Sequence, residues 1–231
     1  MWTITNAAKN QSSHRAAKTQ STQNQNNFDA LAMLDIFNHD QQITVVERPA
    51  SMAISKYLES VAQLLGRGFQ LTLQSGESVA QHALKQRLLP QHAGHEHLLE
   101  DMELLAQLYF DLMGCPRVGL RLEVLQAAMC PKFHVDRTGI RLLCTYMGPG
   151  TEWLDDHFAD RSQLGAHSLS KANSEPTLIL DSKGLHQVPV FAIALLKGSL
   201  WQGNTHRGAI HRSPTVALGQ TRVMLAIDAI W

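Results

Sequence analysis

"CPKFHVDRTGIRLLCTY" (residues 130–146) sets a histidine and an aspartate, His134 and Asp136, one residue apart in an otherwise apolar, strand-like run. Burying either group is costly unless it is paired or bound to something. In a strand, residues i and i+2 share a face, so the imidazole and the carboxylate are expected to project together, with Phe133 and Val135 on the opposite side. Side by side they supply two of the three ligands of a facial 2-His-1-carboxylate metal site. The plainer reading is a His–Asp salt link at a sheet edge.

Downstream of residue 115 the chain reads as β throughout. "RVGLRLEVLQ", "PKFHVD", "IRLLCTYMG", "PTLILD", "VPVFAIALLKG", "GAIHRSP" and "TRVMLAIDAIW" are short, β-rich and separated by Gly, Pro, Asp or Ser. Many short strands with turn signals between them predict a sandwich or barrel. Upstream, "ITVVERP" (43–49) and "FQLTLQSG" read as strands. "SMAISKYLESVAQLLGRG" (51–68), "ESVAQHALKQRLL" and "LLEDMELLAQLYFDLMG" carry apolar residues at helical spacing, the last closed by Gly114. Residues 1–27, rich in Gln, Asn, Ser and Thr, read as a flexible polar arm. The expectation is one α+β domain over 28–231, with a mainly helical layer over 28–115 and a β core over 116–231.

The far end of the chain supplies the remaining chemistry. His211 lies in a β-like segment, and after a turn Arg222, Met224, Ala226 and Asp228 share one face of the last strand. An arginine at the start of an interior face needs an anionic partner, and a bidentate carboxylate would serve. Elsewhere, "QHAGHEH" groups His92, His95 and His97, either a zinc or nickel acceptor or a polar entry to a helix. The loops "YMGPGTEWLDDHF" and "KGSLWQGNTHRG" put Glu152, Trp153, Trp201 and Asn204 within reach of a substrate pocket, with Arg141 flanking the candidate ligands. No nucleophile elbow, phosphate loop or dinucleotide glycine fingerprint is present.

Composition excludes several classes. Twenty basic residues balance twenty acidic ones, which gives no electrostatic reason to expect nucleic acid or an anionic membrane as partner. No apolar run approaches the roughly 20 residues of a membrane span. The N-terminus lacks an apolar signal core, and Cys115, Cys130 and Cys144 have no metal-knuckle spacing; free, buried thiols in a reducing cytoplasm are expected. Nothing in the sequence sets an oligomeric state.

The order H-x-D, a β-rich insert, His, and Arg eleven residues on resembles the iron(II)- and 2-oxoglutarate-dependent dioxygenases over about residues 117–231. "HRSPTVALGQTRVMLAIDAIW" is particularly similar to their prolyl-hydroxylase-like branch. The resemblance implies a double-stranded β-helix (a jelly-roll or cupin-like fold) behind an N-terminal helical layer. It implies His134, Asp136 and His211 as iron ligands, Arg222 holding 2-oxoglutarate, and Tyr146 near that co-substrate. The substrate would be a small molecule or a protein side chain. "CPKFHVDR", "RLLCTYMGPGTEWL", "LLKGSLWQGN" and "HRSP" further resemble a bacterial family, domain-of-unknown-function family 1826. The alternative reading is a non-catalytic, cupin-like protein that uses the same three ligands for zinc or nickel in metal homeostasis.

Overall fold

The computed structural model describes residues 28–85, 89–164 and 175–231; the arm expected over 1–27 lies outside them. A 3-10 segment, Ala30–Phe37, leads into strand β1 (Ile43–Val46). Helix α1 (Met52–Val61) begins where the Ser51 hydroxyl accepts from the Ile54 amide, and it buries Ile54, Tyr57, Leu58 and Val61 along one stripe. Strand β2 (Gly68–Gln74) and helix α2 (Val79–Lys85) follow. Helix α3 (His95–Met113) buries Leu98, Met102, Leu105 and Tyr109 and ends on Gly114 at φ 60°, a left-handed cap that glycine takes without steric cost.

The remaining strands are β3 (Arg117–Leu125), β4 (Ile140–Met147), β5 (Glu152–Leu154), β6 (Leu185–Gln187), β7 (Ile193–Lys197), β8 (Ile210–Arg212) and β9 (Arg222–Ile230). They build an antiparallel six-stranded sheet in the order β1-β7-β4-β9-β3-β2 and a smaller sheet in the order β6-β5-β8. His134 extends the smaller sheet by one rung, exchanging both backbone hydrogen bonds with His211 at 3.0 Å. Chain order from β3 onward therefore crosses between the sheets: β3 large, His134 small, β4 large, β5 and β6 small, β7 large, β8 small, β9 large. That is the strand order of a jelly roll, two sheets sharing one interior.

Three features differ from the sequence reading. The N-terminal half is not a layer apart: its two expected strands, β1 and β2, form the two edges of the large sheet. "PTLILD" holds the short helical turn Glu175–Leu178 and a single bridge from Ile179 to Ala159, not a strand. The His134–Asp136 stretch is extended but pairs only at His134, so no regular strand runs through it.

Alternation along β4 and β9 divides the large sheet into two surfaces. Ile140, Leu142, Cys144 and Tyr146, with Val223, Leu225 and Ile227, pack into one cluster with α1 and α3. Leu143, Met224 and Ala226 face the other way, into a cluster between the two sheets. The first surface is closed by helices, and the second is the inside of the roll. The site lies on the second.

Candidate metal centre

His134, Asp136 and His211 converge, with one ligand atom from each lying within 4.8 Å of the others. His134 Nε2 sits 3.5 Å from one oxygen of Asp136, and His211 Nε2 sits 3.4 Å from the other. Ligand atoms about 2.1 Å from one metal at right angles lie roughly 3 Å apart, so modest tightening would close the set around an ion. Among the described residues no other trio of His, Cys, Asp or Glu side chains is so placed.

The second nitrogen of each ring supports this use. His134 Nδ1 lies 2.9 Å from the Lys132 carbonyl, and His211 Nδ1 lies 3.0 Å from the Ala209 carbonyl. A carbonyl only accepts, so each Nδ1 carries a proton and each Nε2 is left facing Asp136, donating to the carboxylate when protonated and free to turn its lone pair to a metal when not. Both histidines thus hold the tautomer a metal needs, fixed by the main chain. The Asp136 hydrogen bond raises the pKa of His134 despite burial. Burial alone would raise the Asp136 carboxyl, but contacts from His134 and His211 and the charge of Arg141 hold it well below the usual carboxylate range. Arg141 contacts Asp136 directly and grips Asp228 with Nε at 2.8 Å and Nη2 at 2.9 Å.

Arg222 opens into the same recess as the three ligands. Its side chain is 1% exposed, yet its hydrogen-bond partners are all neutral: Nε donates to the Pro149 carbonyl at 2.8 Å, and Nη2 to the hydroxyls of Thr151 at 2.9 Å and Thr145 at 3.3 Å. Among the described residues no carboxylate lies within ion-pair distance of it; burial lowers its pKa to about 10, offset in part by the charge of Glu123 in the same recess. A buried guanidinium without a counter-ion is an incomplete arrangement, and a carboxylate-bearing ligand completes it. The loop Gly148–Pro149–Gly150 makes the cradle. A Cβ on Gly148 (φ 79°) would stand 2.9 Å from the Arg222 Cα, and one on Gly150 would stand 1.8 Å from the Val188 oxygen. Only glycine lets the loop come this close.

The other sequence candidates are distributed differently. Arg141 is in the recess. Tyr146 packs into the helix-covered core and its hydroxyl donates to Asp101 at 2.7 Å, on the surface of the sheet opposite Arg222. Its neighbour Thr145 takes the interior position. Glu152 pairs with Arg212 at 2.6 Å, and Trp153 stacks on His186 at 4.4 Å. Trp201 packs against Phe37, and Asn204 donates to the Gly198 carbonyl inside its own loop. None of these four lines the recess. His95 and His97 occupy the first turn of α3 with His92 just before it, and no third ligand joins them. Cys130 is exposed rather than buried. Thr145 and Thr151 were missed by sequence reading, and Asp228, though placed on the Arg222 face, was given no role; only the parity of Thr145 along its strand could have pointed to it.

A jelly roll with a His–Asp–His centre beside a buried arginine is the class that the fold and site define. The chain belongs to the family described as "Protein of unknown function (DUF1826)", whose profile matches residues 26–228. No curated protein matches it in sequence. Among solved structures it is similar to the rice dioxygenase for auxin oxidation, at 15% identity over 86% of this chain and 76% of that one, TM-score 0.47. The Arabidopsis thaliana counterpart, bound to 2-oxoglutarate, scores 0.48 at 11% identity over 86% of each chain. A prolyl-4-hydroxylase from Pseudomonas putida scores 0.42 at 10% identity over 87% of this chain and 93% of that one. Among the described residues no helix is long and apolar enough to cross a membrane.

Proposed function

We propose that the protein is a non-haem iron(II), 2-oxoglutarate-dependent oxygenase acting on a small molecule or a protein side chain, in a reducing cytoplasm where its three free cysteines stay reduced. The observation that carries this reading is the pairing of a His134–Asp136–His211 centre with a buried arginine, Arg222, that lacks an anion. In this reading the two imidazoles and the carboxylate hold the metal and leave its other positions open. Bound iron with 2-oxoglutarate and dioxygen supplies oxidation of a substrate C–H bond, the keto acid leaving as succinate and carbon dioxide.

The rest is the work of this chain's own residues. Arg222 binds the distal carboxylate of the keto acid through a charge-assisted contact, in a site dry enough to make that contact strong. Thr145, Thr151 and the Pro149 carbonyl hold the guanidinium in place before the ligand arrives, so little ordering remains to be done on binding. The Lys132 and Ala209 carbonyls keep both ring protons on Nδ1. Arg141 and Asp228 fix the Asp136 carboxylate between the rings.

Anaerobic titration with iron(II) followed by 2-oxoglutarate tests the proposal. The expected result is one iron per chain and a weak visible charge-transfer band that appears only with the keto acid. Iron binding is lost in His134→Ala. In Arg222→Met iron is retained but 2-oxoglutarate binding falls by about 100-fold, equivalent to about 2.8 kcal/mol. Tight zinc with no response to 2-oxoglutarate would overturn the oxygenase reading in favour of metal handling.

A further inference from the structure

A cleft of about 660 Å³ borders the candidate centre and takes no part in holding the three ligands or Arg222 in place. The entrance to β2 (residues 67–70), the second half of β3 and the segment 126–129 enclose it. Arg121, Glu123 and Met129 line both this cleft and the recess that holds the three ligands and Arg222. The cleft and the recess thus lie side by side, with these three side chains between them. The volume is in the range of small-molecule sites, about 300–1,000 Å³.

The two ends of the cleft differ in character. Its inner end adjoins Leu143, Met224 and Ala226 in the recess. Along the way stand Leu125 and Met129, the latter 53% exposed although large and apolar. The charges in the middle are already satisfied, since Arg121 lies 3.3 Å from Glu123 and 3.2 Å from Asp228. At the outer rim, Arg67 is exposed and pairs with no carboxylate among the described residues. Its neighbours Gly66 (φ 60°) and Gly68 (φ 89°) both take left-handed backbone, and a Cβ on Gly68 would stand 1.8 Å from the Leu122 oxygen. The arginine is thus held on a turn that only this Gly-Arg-Gly arrangement permits. β2 lies two strands from β9, so Arg67 and the strand that carries Arg222 are separated by roughly 10 Å across the large sheet, with the three ligands farther off on the facing sheet.

We propose that the cleft is the substrate channel and that the substrate is an amphipathic organic anion. Its carboxylate, sulfate or phosphate group lies against Arg67 at the rim. Its apolar body, longer than the roughly 10 Å from β2 to β9, covers Leu125 and Met129, passes Arg121 and Glu123, and delivers an apolar carbon to the metal centre. The choice of reacting carbon rests on the oxygenase reading above; the binding itself does not.

Decanoate, with decylammonium as its charge-reversed partner, probes the cleft in metal-free protein by displacement of 8-anilinonaphthalene-1-sulfonate fluorescence. Wild-type protein is expected to bind decanoate at least tenfold more tightly than decylammonium. Arg67→Glu is expected to reverse that preference, and Met129→Glu to weaken decanoate at least tenfold; both side chains are exposed, so folding is not at stake. Equal decanoate affinity in wild type and Arg67→Glu, or no decanoate binding at all, would overturn the proposal. With manganese(II) added, proton relaxation should be enhanced more at the decanoate methyl than at its C2 methylene. The opposite ranking would overturn the orientation. Arg67-dependent binding with no manganese taken up would sustain the cleft as an anion site while removing the metal reading.

Discussion

Arg48 and Arg222 have buried side chains on opposite surfaces of the same sheet, and their surroundings could hardly differ more. Arg48, on the helix-covered side, holds Asp101 with both terminal nitrogens and donates through Nε to the Phe191 carbonyl at 2.6 Å. Tyr146 completes the set by donating to Asp101. Burial alone would lower the pKa of Arg48, but the Asp101 contact raises it overall. Arg222, inside the roll, meets a carbonyl and two hydroxyls, and burial brings it down to about 10. The first arginine is neutralised by the fold itself and serves to dock α3 on the sheet. The second has its geometry settled and its charge left open, which is what a binding group requires.

The largest effect that can break this contrast is on stability. Asp101→Asn leaves Arg48 buried without its counter-ion and is expected to lower unfolding free energy by about 3–5 kcal/mol. Arg222→Met removes a charge that has no partner to abandon, so its cost is expected to stay within about 1 kcal/mol or to be negative. Urea unfolding of the two variants side by side decides it: equal losses would mean that Arg222 is as structural as Arg48. Next in size is Arg141→Met, which frees Asp136 and Asp228 from their shared clamp and should weaken metal binding by about 10–100-fold with little change in fold. Competition titration against a chelator reads that loss directly. The smallest effect separates the two surfaces by reactivity. Cys144, buried beside Arg48, has its thiol pushed up to about 12 by burial, whereas Cys130 near the recess is exposed. Mass spectrometry after brief alkylation near neutral pH should find Cys130 modified and Cys144 intact until the protein is unfolded.

Much of the centre was legible in the sequence. The H-x-D spacing set His134 beside Asp136, alternation set the face of β9 that carries Arg222, and the family resemblance added His211 and the roles of all four. Tyr146 marks the limit of resemblance. It keeps the alternation of Leu142 and Cys144 onto the helix-covered surface, and it was assigned to the co-substrate from the family likeness and not from its face. The aromatic and polar loop residues failed for another reason. Trp153, Trp201 and Asn204 were chosen for lying near the ligands in sequence, but loops are aimed by what they pack against, here His186, Phe37 and the Gly198 carbonyl. The strands β1 and β2 were read correctly as strands, but their place at the two edges of the large sheet follows from long-range pairing with β7 and β3.

By itself the sequence determined the chemistry available: which side chains can ligate a metal, which arginine is set among apolar neighbours, and which surface of each regular strand they share. Only the tertiary structure decided that the stretch around His134 and strand β8 become neighbours, bringing two imidazoles onto one carboxylate. It also decided that Arg48 is gripped by Asp101 while no carboxylate among the described residues forms an ion pair with Arg222. Local alternation is set by bond geometry within a few residues. Which surfaces meet, and which charges are left without partners, depends on the packing of segments distant along the chain, and that is settled only when two sheets and a layer of helices close on one another.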